Sequence, residues 1–442
     1  MEIQPSPNFW QRNKLILKSF FIGFLILALL IPTFLIMFLV NERKERKQEV
    51  TNEISNKWSA AQTITGPFLI IPYQEVENNL QVKKHLYILP EQLDIDGEIE
   101  PEIRYRSIFK VPVYTARPLT LKGKFSKNSL SAVNIDPALL MWNEAKLCIG
   151  IADLKGIKEQ TIKWNDQLLT IEAGLPESNI AQQGINAVLS LDSQFLSSEN
   201  EFSVKLVLQG SEKLFFTPMG SNTKVHLSSK WGNPAFDGNY LPDTEKMSKD
   251  HFEADWGISH FNRDYPKLFL STGNEKFSVE KSAFGVVLLS PFDAYAQTMR
   301  SLKYAILIIA LSFFALFFTE IFQRKSVHPF QYILIGIALV IFYTLLLSLS
   351  EYIFFPLAYL AASGATIVLL SIYTYSIFKK ATTAGMLAFF LSVLYLFIYV
   401  LIQMQDKALL FGSIGLFILL ALTMYLSRKI DWYGIDRKTN EV

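Results

Sequence analysis

The chain of 442 residues contains a single cysteine, Cys148, which excludes an internal disulfide framework and any cysteine-based metal cluster. Its net charge is only +2, so no global field draws it to nucleic acid. It lacks the glycine-rich loops that cradle phosphates or dinucleotides, and it lacks HExxH and GxSxG. No nucleophile–base pair that would serve a hydrolase can be named. What it has in excess is apolar residues: 50% of the chain, including 35 Phe, with a positive mean hydropathy. An ordinary soluble protein of this length is less apolar.

The apolar residues cluster at the start and in the last third. A membrane-spanning helix needs about 20 of them in a row. Ser19–Val40, Gln331–Ser350, Tyr352–Phe378, Ala381–Gln405 and Ala408–Ser427 carry no charge, and Tyr304–Phe322 carries only Glu320. Backbone without partners in lipid leaves helix as the option for such runs. The first run could alternatively be a cleaved signal peptide. Its length and its ending, FLIMFLVNER, which lacks a small-residue cleavage site, favour a retained span. Pro32 inside it predicts a kink.

Orientation follows from basic residues in short loops, which mark the cytoplasmic side. Arg324 and Lys325 follow the second span, Lys379 and Lys380 the fourth, and Arg428, Lys429, Arg437 and Lys438 the sixth. The alternate loops read EY and QDK. Both termini are therefore expected in the cytoplasm, with Arg12, Lys14 and Lys18 beside the first span. The basic stretch NERKERKQEV, Asn41–Val50, then falls outside, as the rule permits before a long translocated domain. Glu42 and Arg46 stand four apart, and Val50, Ile54, Trp58 and Ala61 form a stripe at helical spacing. The first helix is expected to continue outward as a stalk; a basic collar for anionic lipid heads is the functional alternative.

Residues 41–300 then form one extracytoplasmic domain. KHLYILP, RYRSIFKVPVYTARPLTLKGKF, KLCIGIADLKGI and TIKWNDQLLTIEAG are short β-rich runs punctuated by turn residues, and FSVKLVLQG alternates apolar and polar. SPFDAYAQTMRSLKYA, with Pro291 at its start, reads as a helix running into the second span. The fold class expected is a polytopic α-helical membrane protein of six transmembrane helices, with a large mainly-β, antiparallel sandwich-like domain between helix 1 and helix 2. Its parts are 1–40, 41–300, a five-helix bundle over 301–428, and a cytoplasmic tail over 429–442.

Candidate functional residues are few. HFEADWGISH holds His251, Glu253, Asp255 and His260, but at no known metal-ligand spacing, and an exposed loop yields such a set easily. WGNPAFDGNYLP offers Trp231, Phe236 and Tyr240, which either line a groove or pin a loop to a core. His85 and His226 read as ordinary strand residues. Arg300, Lys303, Glu320 and Glu351 all stand near ends of spans. Ion paths need charge near mid-membrane, so anchoring and pairing, for instance of Glu320 with Arg324 at four-residue spacing, is favoured over transport. AASGA, Ala361–Ala365, suits a helix-packing seam.

RSLKYAILIIALSFFALFFTE, HPFQYILIGIALVIFYTLLLSLSE, AYLAA, LYLFIYVLIQMQDKALLFGSIGLF and MYLSRKIDWY, with GPFLIIPY, GIADLKGI, FTPMG and WGNPAFDGNYLP in the β-rich part, closely resemble the CreD family of bacterial inner-membrane proteins, associated with cell envelope integrity. The resemblance covers nearly the whole chain. It implies the same looping, one helix before a periplasmic domain and five after. It also implies a link to envelope stress and to tolerance of agents such as colicins and β-lactams. WGNPAF stands where the family tends towards a WPHPSF-like string, which argues against a strict role for that His. The resemblance carries over no catalytic residue and no cofactor. The function expected is a non-enzymatic envelope protein that binds a periplasmic partner or lipid through its β-domain; the alternative is a transporter or lipid-handling bundle. The implied partners are the lipid bilayer and an unidentified envelope component, not nucleic acid, and the sequence sets no oligomeric state.

Overall fold

The computed structural model describes residues 14–77, 80–126, 133, 135–176, 180–271, 279–288, 294–404 and 407–428. The chain divides into two compact units. One comprises Lys47–Pro291, and the other Met1–Arg46 with Phe292–Val442.

The helical unit begins with α1 (Lys14–Trp58), whose last turns belong to the other unit. After the β unit come α2 (Ala294–Lys303), α3 (Ala305–Gln323), α4 (Pro329–Ser350), α5 (Phe355–Phe378), α6 (Ala381–Gln403) and α7 (Ala408–Ser427). Among the described residues, five helices are long and apolar enough to cross a membrane: α1, α3, α4, α5 and α6. In α7 the apolar stretch among residues with described side chains is Ala408–Ile418. The helix starting near SPFDAY does not run unbroken into the next: α2 and α3 are separated at Tyr304. Pro291, expected to start it, lies outside the described residues, as does the C-terminal tail 429–442.

Local chemistry sets the helix ends. HPFQY is an N-terminal cap: the His328 Nδ1 accepts from the Phe330 N–H at 3.2 Å, the Gln331 Oε1 accepts from the His328 N–H at 3.0 Å, and Pro329 takes the first helical position. Arg324 and Lys379 end α3 and α5 in the left-handed conformation. In the interior, α1 and α4 approach so closely that a Cβ at Gly336 would meet Leu29 Cδ1 at 2.3 Å. Only glycine fits there without moving that side chain.

The β unit holds two sheets, with strands numbered along the chain. The first contains β1 (Gln62–Glu77), β2 (Leu80–Ile88), β5 (Ala145–Ile151), β8 (Ile171–Ala173), β9 (Gly184–Leu189), β11 (Lys213–Thr217), β13 (Pro234–Gly238), β16 (Leu268–Leu270) and β17 (Phe284–Leu288). Its order is β13-β17-β11-β1-β5-β9-β8, with β2 and β16 branching from β1. The second contains β3 (Gln92–Arg106), β4 (Phe109–Phe125), β6 (Ile157–Trp164), β7 (Gln167–Leu168), β10 (Asn200–Ser211), β12 (Asn222–Ser229), β14 (Thr244–Met247) and β15 (Phe252–Ser259). Its order is β14-β15-β12-β3-β4-β10-β6-β7.

Period-2 alternation explains the buried faces. In β10, Phe202, Val204, Leu206 and Leu208 are buried while Glu201 and Lys205 face water. Side chains of both sheets form one core, in which Phe236 of the first meets Phe252 and Trp256 of the second edge-on at 5.9 and 5.7 Å. Two pairings are parallel, β1 with β11 and β3 with β12. The bulge of β1 against β5, between Thr65 and Phe68, turns at Gly66, whose φ of +122° and 3.0 Å Cβ clearance to the Cys148 carbonyl demand glycine.

Cys148 is fully buried in β5, and burial pushes its thiol up to about 12. We expect an impermeant maleimide to leave native protein unlabelled at neutral pH and to react once denaturant unfolds the β unit. Labelling rate against denaturant concentration measures this; labelling at the rate of a free thiol in native buffer would contradict the burial.

Candidate functional site

Glu320, Glu351 and Arg300 are met by groups on other helices. Lys18, in the second turn of α1, donates to Glu320 of α3 and, at 2.7 Å, to the Val327 carbonyl. The Tyr332 hydroxyl of α4 donates to the other Glu320 oxygen at 2.8 Å, and the Lys18 ammonium stands 5.5 Å from the Tyr332 ring centroid. Glu320, 9% exposed, thus has both oxygens bonded. The expected Glu320–Arg324 pair is replaced. Arg324 caps the helix in the left-handed conformation, which takes its side chain off the four-residue ridge, while Glu320 turns to α1.

The second cluster lies at the other end of α4. Glu351 accepts from the Tyr295 hydroxyl of α2 at 3.0 Å and pairs with Arg43 of α1 at 3.9 Å. Arg300 donates to the Ile402 carbonyl at 3.2 Å, near the end of α6, and Lys303 is exposed. From Lys18 to Arg43, α1 rises about 37 Å, which exceeds the hydrocarbon of about 30 Å and reaches the headgroup levels. One helix is therefore fastened to the bundle at two levels a bilayer apart. Sequence reasoning placed Glu320, Glu351 and Arg300 near helix ends but missed Lys18, Arg43, Tyr295 and Tyr332 as partners. The available signal was the group of bases at each end of the first span; what was missing was which of them would face another helix, and which helix.

In the β unit, the motifs prove to be joints. Asp153 of GIADLKGI accepts from the Ala60 N–H at 2.9 Å and the Ser59 hydroxyl at 3.3 Å, and its carbonyl accepts from Gln62 Nε2 at 2.8 Å. These bonds tie the exit of α1 to the turn after β5. The Pro218 and Met219 carbonyls of FTPMG accept from Arg263 Nη1 at 3.4 and 3.0 Å, and Pro218 also accepts from the Tyr265 hydroxyl at 3.0 Å. Burial draws the Arg263 guanidinium below its usual range. The stalk helix packs Val50 inward together with Thr51 and Ser55, whose hydroxyl meets that of Ser211 at 2.8 Å.

Trp231, Phe236 and Tyr240 sit at the same core. Trp231 is buried with its Nε1 on the Asn233 carbonyl at 3.1 Å, Phe236 meets Phe252 and Trp256, and Tyr240 meets Phe284 edge-on at 5.7 Å. The HFEADWGISH residues are dispersed. His251 faces Glu253 at 3.4 Å, Asp255 is bonded to His226 of β12 at 2.6 Å, and His260 opens a short turn against Phe261. Among the described residues no three such side chains converge on a metal-sized point. His85 is in β2. The His226 bond holds the Asp255 carboxyl below its usual range, with Thr244 adding a second at 2.8 Å. An open concavity of about 600 Å³ lies over this face, between Asp94, Asp96, Lys122, Lys224 and Asp255. The acidic alternation Asp94, Asp96, Glu98, Glu100 and Glu102 along β3 was a signal for that face that the sequence reading passed over.

These features define a class: multi-pass membrane proteins with several apolar helices and a large mainly-β domain between the first helix and the rest. The chain belongs to the CreD family, whose description, Inner membrane protein CreD, matches residues 14–433. It is similar to the Inner membrane protein CreD of Escherichia coli (strain K12), 33% identical over 445 residues that cover 98% of this chain and 95% of that protein. A solved M1 zinc metallopeptidase of Deinococcus radiodurans, bound to a Tyr-Ser-Ala substrate, is 11% identical over 45% of this chain and 42% of that one, with a TM-score of 0.19; at that score it carries no argument.

The Lys18–Glu320 pair is nearly buried, so removing one partner strands the other. We expect Lys18→Met to destabilise the purified protein by about 3–5 kcal/mol, and Lys18→Met combined with Glu320→Gln to recover most of that. Thermal unfolding in detergent reads the cycle; additive losses in the double variant would show that the pair is not coupled.

Proposed function

We propose that this chain is a non-enzymatic inner-membrane protein that supports cell envelope integrity and stress or toxin tolerance, acting through a periplasmic β-domain that binds an envelope partner or lipid. In this reading six helices span the membrane, both termini are cytoplasmic, and the β unit is a mainly antiparallel, sandwich-like domain outside. The observation that carries it is the fastening of α1 at both levels, by Lys18–Glu320–Tyr332 and by Arg43–Glu351–Tyr295. Charges arranged this way anchor a helix rather than line an ion path, which needs a charge near mid-membrane. The helix so held continues to Trp58, so the anchorage serves the domain that follows it. The alternative, a transporter or lipid-handling bundle, would use the same charges actively.

Orientation is tested in a Cys148→Ala background with Gln167→Cys or Ser326→Cys, both at exposed positions. We expect an impermeant maleimide on intact spheroplasts to label the first and spare the second; the opposite pattern would invert the topology.

Function is tested by complementation of a deletion strain under detergent stress at matched membrane abundance. We expect rescue by a variant with both pairs neutralised together (Lys18→Met, Glu320→Gln, Arg43→Gln, Glu351→Gln). Failure of that inserted, folded variant would make the transport reading the leading one.

A further inference from the structure

Hydroxyls in membrane helices ordinarily bond a carbonyl three or four residues back. Thr319, Thr344, Ser350, Ser363, Thr366, Ser371 and Ser392 all do so here. Thr298 and Ser301 of α2, Ser312 of α3, Tyr343 of α4 and Tyr395 of α6 do not: each hydroxyl is buried without any hydrogen-bond partner. A buried polar group left unpaired is costly, and most so where water is excluded.

All five lie toward one end of the bundle, and three of them share a level. Tyr343 is seven residues before the end of α4, Tyr395 eight before the end of α6, and Ser312 seven after the start of α3, so each lies about 10–12 Å from the Glu351 end. Thr298 and Ser301 lie in α2, which meets α4 and α6 at that same end through Tyr295 on Glu351 and Arg300 on the Ile402 carbonyl. The Tyr343 and Tyr395 rings both pack on Phe342, at 4.8 Å each, and Tyr359 joins them with its hydroxyl on the Tyr395 carbonyl at 2.8 Å. Two more unpartnered hydroxyls, Thr374 and Thr383, sit at the opposite end. Among the described residues of the helical unit, the charges at the Glu351 end are Arg43, Lys44, Arg46, Arg300, Lys303 and Lys407 against Glu42, Glu45 and Glu351, so bases outnumber acids.

We propose that this layer is the closed form of an internal polar site, which opens at the Glu351 end to receive the anionic, phosphate-bearing head of a membrane amphiphile. In the open form the five hydroxyls gain the partners they lack here, and Arg300 exchanges the Ile402 carbonyl for the anion. The inference goes beyond the anchoring reading and takes from it only which side of the membrane this end faces.

The test uses full-length Cys148→Ala protein carrying Ser301→Cys, reconstituted in phosphatidylcholine vesicles and exposed to a negatively charged, impermeant methanethiosulfonate. Ser301 is fully buried here, so labelling of the folded protein reports opening. We expect such labelling, slowed roughly tenfold when phosphatidylglycerol is included at a level well above its binding constant. Inorganic phosphate should protect much less. Absence of labelling below the unfolding temperature overturns the site, and labelling without lipid protection overturns the ligand. Protection by inorganic phosphate as strong as by the lipid overturns the amphiphile. If Ser301→Cys does not fold, Ser312→Cys gives the same readings. Adding Tyr343→Phe and Tyr395→Phe should leave the thermal midpoint unchanged or higher and abolish the protection; undiminished protection overturns the role of these hydroxyls. Orientation fails separately, at Gln167→Cys.

Discussion

Backbone amides in hydrocarbon have no water to bond, and the helical unit follows from that constraint. It turns each apolar run into a helix whose bonds close within the segment, and it drives every fixed charge toward an end. Lys18 and Glu320 meet at one level, Arg43 and Glu351 at the other, with Tyr332 and Tyr295 supplying the remaining bonds. In water the same constraint takes a different form. Strands pair with neighbours, and burial alternates residue by residue, as in β10 and β15.

The same logic separates two kinds of buried polar group in the bundle. Glu320 is costly to bury but has both oxygens bonded, and it holds helices α1, α3 and α4 together. Tyr343 and Tyr395 are neutral, cost less, and have unbonded hydroxyls. A satisfied charge explains a fixed structure. An unsatisfied hydroxyl in an otherwise close-packed aromatic layer is free to take a partner.

Motifs that are conspicuous in the sequence turn out to work through the backbone. HPFQY caps α4 with His328 and Gln331, GIADLKGI supplies Asp153 as a joint for the end of α1, and FTPMG supplies carbonyls for buried Arg263. Such roles need a side chain or carbonyl at one point in space, so they are invisible until the partner segment is known. The aromatic string around Trp231, Phe236 and Tyr240 left two readings open because a groove and a core attachment use the same residues. In the structure their rings and polar atoms are taken up by Phe252, Trp256, Phe284 and Asn233.

The placement of apolar runs, the β-rich character of the middle segment and the helical stalk were legible because each depends on period and composition along a single stretch of chain. Alternation in FSVKLVLQG is visible without knowing its neighbours, and so is an uncharged run such as Gln331–Ser350. Pairing across the chain was not legible. The parallel registers of β1 with β11 and β3 with β12 join segments far apart in sequence. Glu320 was assigned to Arg324 because local spacing was the only guide, yet its partner stands 302 residues away. The sequence by itself determined which segments form long apolar helices and which form strands, because hydration and backbone bonding act locally. Only the tertiary structure decided which charges and hydroxyls meet, because Coulomb and hydrogen-bond partners are chosen by distance in space.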